Sequence, residues 1–224
     1  MLRVEFHCHT VFSMDSLTSP RRLLETCRRK GVDRVVVTDH NTTGGGLAAQ
    51  LLDPERVIVG EEIMTTGGEL LAAYVSAEVP PGLPPLEAIG VLRQQKAFIS
   101  VSHPFDSSRK GGWDPDQLLA ISPLVDAIEV FNSRCLLPRA NDRALEFARR
   151  HDLASTVGSD AHTAIEIGRS VLLLEPFADA VGLRAVIRRG LPQTQWSPPW
   201  IHLTSRYARF RKWLRLGLDT PRRT

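Results

Sequence analysis

The feature that most constrains this chain is an alternation. Short runs rich in Val, Ile, Leu and Phe (LRVEFHC, RVVVTDH, RVIVGEEI, ELLAAYVS, AFISVSHPF, DAIEVFN, LASTVGSDAH and RSVLLLE) are separated in several places by helical stretches such as LEAIGVLRQQ, NDRALEFARRH and ADAVGLRAVIRR. Strands that alternate with helices predict an α/β fold with a largely parallel sheet. The first helix carries its own punctuation: Ser19 as N-cap, Pro20 at the first helical position, an apolar stripe of Leu23, Leu24 and Cys27, and Gly31 as the stop. A chain of 224 residues suits one globular domain with a short appendage.

Polar residues fall at particular places on these strands. His7 and His9 end the first, Asp39 and His40 the second, and Glu61 and Glu62 the third. His103, Glu129, and the pair Asp160 and His162 end later ones. In parallel α/β architectures the C-terminal strand ends are where loops converge and ligands bind. Of the seven histidines only His151 and His202 lie elsewhere. In the first strand, Leu2, Val4, Phe6 and Cys8 form one row and Arg3, Glu5, His7 and His9 the other. Strict alternation then predicts an apolar row packed on helices and a polar row whose inner end holds a site.

Imidazoles and carboxylates gathered at one mouth form a ligand set for divalent metal. Nitrogen and oxygen donors without thiolate favour zinc, manganese or iron, and more than four donors imply more than one ion. Without a cation, so many charges buried together would be prohibitively costly.

HCH in the first strand, TDH in the second, GEE in the third, then SHPF, EVFN and GSDAH resemble, in order, the successive motifs of the PHP superfamily, named for polymerase and histidinol phosphatase. The resemblance runs from about Leu2 to about Leu174. It implies a distorted (β/α)7 barrel of the PHP type and a site for two or three divalent ions; the domain is expected to cover residues 1–192, and residues 193–224, rich in Pro, Trp and Arg, to form a basic helical extension. It also implies phosphate-ester hydrolysis by a metal-bridged hydroxide. By this resemblance His7, His9 and Asp160 hold one ion, and Glu62 bridges it to a second that His103 also binds. Asp15, His40 and His162 hold a third, or supply a general acid if that ion is absent. Asp15 stands where some members carry histidine. Glu69 stands where many carry a histidine after glycine, and as a carboxylate it completes the second ion.

Around this set, Arg134, Asn132 and Arg109 are expected at the substrate, because a guanidinium fork suits a phosphate. Lys110 and Arg169 lie in neighbouring loops. Glu129 is expected to orient a ligand rather than hold metal. TTGGG after the second strand lacks the lysine of a P-loop and reads as a flexible rim. The expected partners are a phosphorylated small molecule or a short DNA or RNA oligonucleotide. Hydrolysis of an amide and a non-catalytic metal-stabilised scaffold are the remaining readings.

The net charge of +3 comes from the tail, where Arg206, Arg209, Arg211, Lys212, Arg215, Arg222 and Arg223 stand against Asp219 alone. The rest has 21 basic residues against 24 acidic ones, a net of about −3, so the positive balance says nothing about the body. On a helical wheel Leu203, Tyr207, Phe210, Trp213, Leu214 and Leu218 share one side of the tail, and Arg209, Arg211, Lys212 and Arg215 the other. The apolar stripe is expected to pack on the body, with a polyanion or an anionic membrane surface as the other occupants. Three scattered cysteines, Cys8, Cys27 and Cys135, point to a reducing cytoplasm. The first residues lack the pattern of a signal peptide, and no apolar run is long enough to span a membrane.

Overall fold

The structure, a computed structural model, describes residues 1–109 and 111–219, with side chains of the last helix described as far as Leu214. Expectations for the side chains of Lys110, Arg215, Leu218, Arg222 and Arg223 lie outside the described residues.

Strand β1 (Leu2–Cys8) is followed by α1 (Pro20–Lys30), β2 (Arg34–Val37), α2 (Gly44–Gln50) and β3 (Val57–Met64). Next come β4 (Glu69–Ala73), α3 (Pro85–Gln94), β5 (Phe98–Val101), α4 (Pro115–Ile121) and β6 (Ala127–Asn132). Helix α5 (Pro138–Arg150), β7 (Ala154–Gly158), β8 (Val171–Leu174), α6 (Ala180–Val186), β9 (Leu191–Gln193) and α7 (Ile201–Asp219) complete the chain. The sheet order is β7-β6-β5-β4-β3-β2-β1-β8-β9. A parallel bridge between Cys8 and Ala161, just past β7, brings the first and seventh strands together, so β1 to β7 form a nearly closed barrel. Strands β8 and β9 extend it antiparallel from β1. Strand β4 runs antiparallel to both neighbours, which distorts the (β/α)7 pattern. Its reversal puts Glu69, the first residue of β4, at the same barrel end as the C-termini of the parallel strands.

Alternation fails in β1, and with it the expected division into an outer apolar row and an inner polar one. Val4 and Phe6 pack inward with Val36, Ile58 and Phe98, and the Phe6 and Phe98 ring centroids are 6.4 Å apart. Cys8 packs outward against Leu23, Leu24 and Cys27 of α1. The β1–β2 register shifts between Glu5 and Cys8. Such a bulge inserts one extra residue and re-aims its side chain, so His7 points into the barrel mouth directly above Phe6. Across the interior, the Ser100 and Thr156 hydroxyls share a hydrogen bond of 2.9 Å.

Residues 44–46, read from sequence as a flexible rim, are instead the first turn of α2. The glycines let this helix lie directly on the strands: a Cβ at Gly45 would sit 1.9 Å from Asp39 Oδ2 and 2.2 Å from Thr10 Oγ1. Helix α1 starts and stops as the sequence indicates, with Ser19 accepting from the Arg22 amide and Gly31 left-handed at φ 66°.

The tail departs from expectation in which face it buries. Helix α7 seats Ile201, Ser205 and Ala208 on the body, while Leu203, Tyr207, Phe210, Trp213 and Leu214 face solvent. Periodicity told which residues share a side but not which side docks. Polar anchors decide it: Arg134 donates to Ser205 Oγ at 2.9 Å, Arg209 to Asp15 Oδ2 at 2.7 Å, and Lys212 to the Val11 oxygen at 2.6 Å.

Candidate metal centre

Four ligand atoms converge at the barrel mouth. His7 Nε2 and His9 Nε2 lie 3.1 Å apart. Glu62 Oε2 is 3.3 Å from the first and 3.4 Å from the second. Asp160 Oδ1 is 3.6 Å from His7 Nε2 and 3.2 Å from His9 Nε2. All four residues are essentially inaccessible to water. β1 supplies the two histidines through its bulge and its end, β3 supplies Glu62, and the turn after β7 supplies Asp160. That turn is strained: Asp160 holds φ 51°, a left-handed conformation that aspartate tolerates better than most residues.

A second set shares Glu62. Its Oε1 lies 3.2 Å from His103 Nε2, which is 3.4 Å from Glu69 Oε2. His40 Nδ1 closes the set, 3.0 Å from Glu62 Oε2 and 3.9 Å from Glu69 Oε1. A third corner joins Asp15 to His162 Nε2 at 3.3 Å and to His40 Nε2 at 3.6 Å. Among the described residues, the donor sets His7–His9–Glu62, His40–Glu62–Glu69 and His9–His40–His162 each bring one atom per residue within 4.8 Å of one another. The structure therefore brings together all nine expected ligands, and it places His40 beside the second set as well as the third.

Hydrogen bonds fix which nitrogen each ring offers. His7 Nδ1 meets Glu129 Oε1 at 3.0 Å, His9 Nδ1 meets Ser13 Oγ at 3.2 Å, and His162 Nδ1 meets the Asp160 carbonyl at 2.8 Å. In each case Nε2 is left facing the other donors, with a carboxylate orienting His7, a carbonyl orienting His162 and a hydroxyl held by Asp39 orienting His9. Glu129 also accepts from the His103 amide at 2.9 Å and from Asn132 Nδ2 at 3.1 Å. Asn132, expected at the substrate, is fully buried and donates to Asp160 Oδ2 at 3.3 Å as well. Arg109, expected at the substrate, reaches the site and pairs with Asp160 and with Asp106. Arg134 lines the mouth, but its Nε lies 3.2 Å from Glu166 and its Nη2 donates to Ser205 of α7.

Residues to which the sequence assigned no role in the site form the frame. Asp39 accepts from the Thr10 amide, the Thr10 hydroxyl and Ser13 Oγ, each at 2.6 Å. It pins the loop after β1 and holds no metal donor. Ser102 Oγ donates to Glu62 Oε1 at 2.8 Å. From the tail, Arg209 sits on Asp15, and His202, Ser205 and Arg206 help line the cavity. Nothing local in the sequence marks them, because their partners lie up to 194 residues away.

The electrostatics are those of a site built around positive charge. Burial alone would raise the Glu62 carboxyl, yet His7 and His40 hold it well below the usual range. Burial likewise opposes ionisation of Asp160, and Arg109 and His7 hold it low. Glu69 goes the other way, raised by burial and by the neighbouring Glu62. Burial, with His162 and His40 nearby, pushes His9 down to about 3, so its ring is neutral and free to ligate. The decisive detail is a set of buried atoms, Asp15 Oδ1, Glu62 Oε2, His103 Nδ1 and Asp160 Oδ1, that have no well-directed hydrogen bond, the three oxygens meeting only imidazole nitrogens 3.0–3.6 Å away. Two of these, Glu62 Oε2 and Asp160 Oδ1, are the oxygens that face His7 and His9. Buried polar atoms are almost always satisfied, and a divalent cation satisfies these oxygens and ring nitrogens together. The residues present fit such an ion. Next to them a cavity of about 750 Å³ opens to solvent, lined by Asp15, His40, Glu69, His162, Arg109, Arg134, Arg206 and Arg209 and by Phe12, Met14, Met64 and Leu136.

Known proteins share both sequence and fold with this chain. An uncharacterized protein of Methanocaldococcus jannaschii, MJ0417, is 35% identical over 175 residues, covering 76% of this chain and 70% of its own. A second from that organism, MJ1587, is 32% identical over 145 residues, 59% of this chain and 82% of its own. Residues 138–191 match the family described as PHP-associated. Among solved structures, PsfC of Pseudomonas syringae superposes with a TM-score of 0.70 at 21% identity, covering 95% of this chain and all of its own. A two-domain protein of Bacteroides vulgatus containing a predicted PHP-like metal-dependent phosphoesterase superposes with a TM-score of 0.68 at 21% identity. The match covers 87% of this chain and 65% of the Bacteroides protein's length. The lesion-specific endonuclease EndoQ of Pyrococcus furiosus shares the fold at a TM-score of 0.59 and 16% identity, over 88% of this chain and 59% of its own. With the ordered motifs meeting at one barrel mouth, the matching C-terminal segment and these relatives, the chain belongs to the PHP superfamily.

Proposed function

We propose that this protein is a metal-dependent phosphoesterase. The observation that carries the reading is the pair of buried oxygens without a well-directed hydrogen bond, Glu62 Oε2 and Asp160 Oδ1, facing two imidazole nitrogens within 3.6 Å. His7, His9, Glu62 and Asp160 would hold one ion, and Glu62, Glu69, His103 and His40 a second. Bound there, such ions supply a water of lowered pKa and screen the phosphoryl oxygens.

The side chains around them set up the rest. Arg209 donates to Asp15 Oδ2 at 2.7 Å, which places a fixed positive charge on the corner where a third ion would bind. The reading is therefore a two-ion centre with Arg209 in the third place. Asp15 is held ionised by His162 and His40 against its burial, so it is a poor proton donor. That leaves His162, which lines the cavity and belongs to neither ion's set, to pass a proton to the leaving oxygen. Arg109, Arg134 and Arg209, each paired with a carboxylate, and Arg206 place guanidinium donors on the cavity wall, which suit an anionic phosphoryl group better than a neutral amide. Met64, Phe12, Met14 and Leu136 give the same cavity apolar walls for the remainder of the substrate.

The test is turnover by protein reconstituted with manganese, zinc or iron. Substrates would be aryl phosphate mono- and diesters, phosphorylated metabolites, short oligonucleotides, and a matched set of amides and lactones. Phosphate-ester hydrolysis that disappears in His7→Ala and Asp160→Asn supports the reading. Hydrolysis of an amide or lactone with no phosphate ester turned over contradicts it.

A further inference from the structure

Helix α7 turns an apolar face away from the chain. Ile201, Ser205, Ala208 and Lys212 form the row that faces the body. At 3.6 residues per turn the opposite row is Leu203, Tyr207, Phe210 and Leu214, which are 62, 57, 56 and 43% exposed. Trp213, 66% exposed, stacks beside this row with its ring centroid 6.4 Å from that of Phe210. Lys212 anchors the loop after β1 through the Val11 and Ser13 oxygens, and that loop exposes Val11, Phe12 and Met14. A patch of this kind on a soluble surface marks an interaction site. Arg206 and Arg211 flank the apolar row on its two sides, and residues 201–214 contain no aspartate or glutamate.

We propose that α7 docks on an anionic lipid surface. Leu203, Tyr207, Phe210, Trp213 and Leu214 would sit at the acyl boundary, and Arg206 and Arg211 at the headgroup phosphates. Charge selects this occupant. A second copy laid symmetrically against the same face would bring Arg206 and Arg211 of both copies together with no carboxylate in the segment to meet them. A single-stranded nucleic acid binds along a cationic groove with stacking platforms. Here Tyr207, Phe210 and Trp213 do offer rings, but they stand on the convex outer side of a helix and not along a groove, and Leu203 and Leu214 close the row at its two ends. Among the described residues no helix is long and apolar enough to cross a membrane, so α7 would lie on the bilayer. The inference does not depend on the chemistry of the metal centre, with which it shares only Arg206, at the edge of both the cavity and the apolar row.

The experiment is co-sedimentation of the full chain with phosphatidylcholine vesicles, with and without phosphatidylglycerol, over a salt series. Binding should favour the anionic vesicles by about 10- to 30-fold, as expected from two arginines at a charged surface, and weaken with salt. The variant Leu203→Glu/Phe210→Glu should lose binding about tenfold or more while keeping the wild-type circular dichroism and melting curve. Arg211→Glu, an exposed change, should lower the anionic preference by itself. Equal binding to both vesicle types, or no loss in either variant, overturns the proposal. So does a dimer in sedimentation equilibrium, or capture of a single-stranded oligonucleotide, that Leu203→Glu/Phe210→Glu abolishes.

Discussion

Arg209 Nη2 on the last helix lies 2.7 Å from Oδ2 of Asp15 in the loop after the first strand, 194 residues away. The guanidinium is largely exposed and the carboxylate is buried, so the pair is partly screened and contributes little to stability. Its effect falls on the ligand corner that Asp15 shares with His40 and His162.

Arg209→Ala is expected to lower stability by no more than about 1 kcal/mol. It should also free Asp15 Oδ2 and raise the manganese bound per chain above the wild-type value. Metal analysis after equilibrium dialysis reads this directly, and an unchanged stoichiometry would return Arg209 to a purely surface role.

Glu129 touches His7 Nδ1 at 3.0 Å and holds the His103 amide, but it is one step removed from the donor atoms. Replacing it by Gln keeps the shape and loses the charge that fixes the His7 tautomer. Metal affinity should fall about 10- to 100-fold with the fold retained. Isothermal titration with manganese checks it.

Gly158 closes β7 directly beneath the site. A Cβ there would lie 2.3 Å from Glu129 Oε1 and 2.5 Å from His7 Cβ. Neither neighbour can yield without moving the other, so Gly158→Ala should cost about 1–3 kcal/mol and lower metal affinity as well. Urea unfolding and metal titration of the same sample measure both.

Glu61 stands next to Glu62 but faces away, accepting only from the Val79 amide at 3.0 Å, with its other oxygen buried and unpaired. Burial pushes its carboxyl up to about 7. The folded state therefore binds this proton more tightly than the unfolded chain. Its favourable contribution is complete below about pH 4.5 and is lost as pH rises towards 7. Glu61→Gln, which never ionises, should match the wild type near pH 5 and exceed it at pH 8 by about 1–2 kcal/mol. Denaturant midpoints at the two pH values decide it.

The residues that meet at the barrel mouth were legible in the sequence because strand ends and side-chain chemistry are local properties. HCH, TDH, GEE, SHPF and GSDAH each carry their own side chains to the mouth. The geometry that aims them was less so. The bulge that turns His7 inward arises from the pairing of β1 with β2, and alternation within β1 alone pointed Phe6 outward. The reversal of β4 that delivers Glu69 arises from its neighbours. Glycines 44–46 read as a loose rim because the strands against which α2 presses are distant in sequence. The tail failed in the same way: helical periodicity grouped Leu203 with Phe210 correctly, but only Arg134, Asp15 and the Val11 carbonyl decide that the opposite face docks.

The most direct measurement is anomalous diffraction at the manganese edge from crystals grown with manganese. Two peaks are expected: one enclosed by His7, His9, Glu62 and Asp160, the other by Glu62, Glu69, His103 and His40. Density free of any anomalous peak among these side chains at saturating manganese would contradict the account.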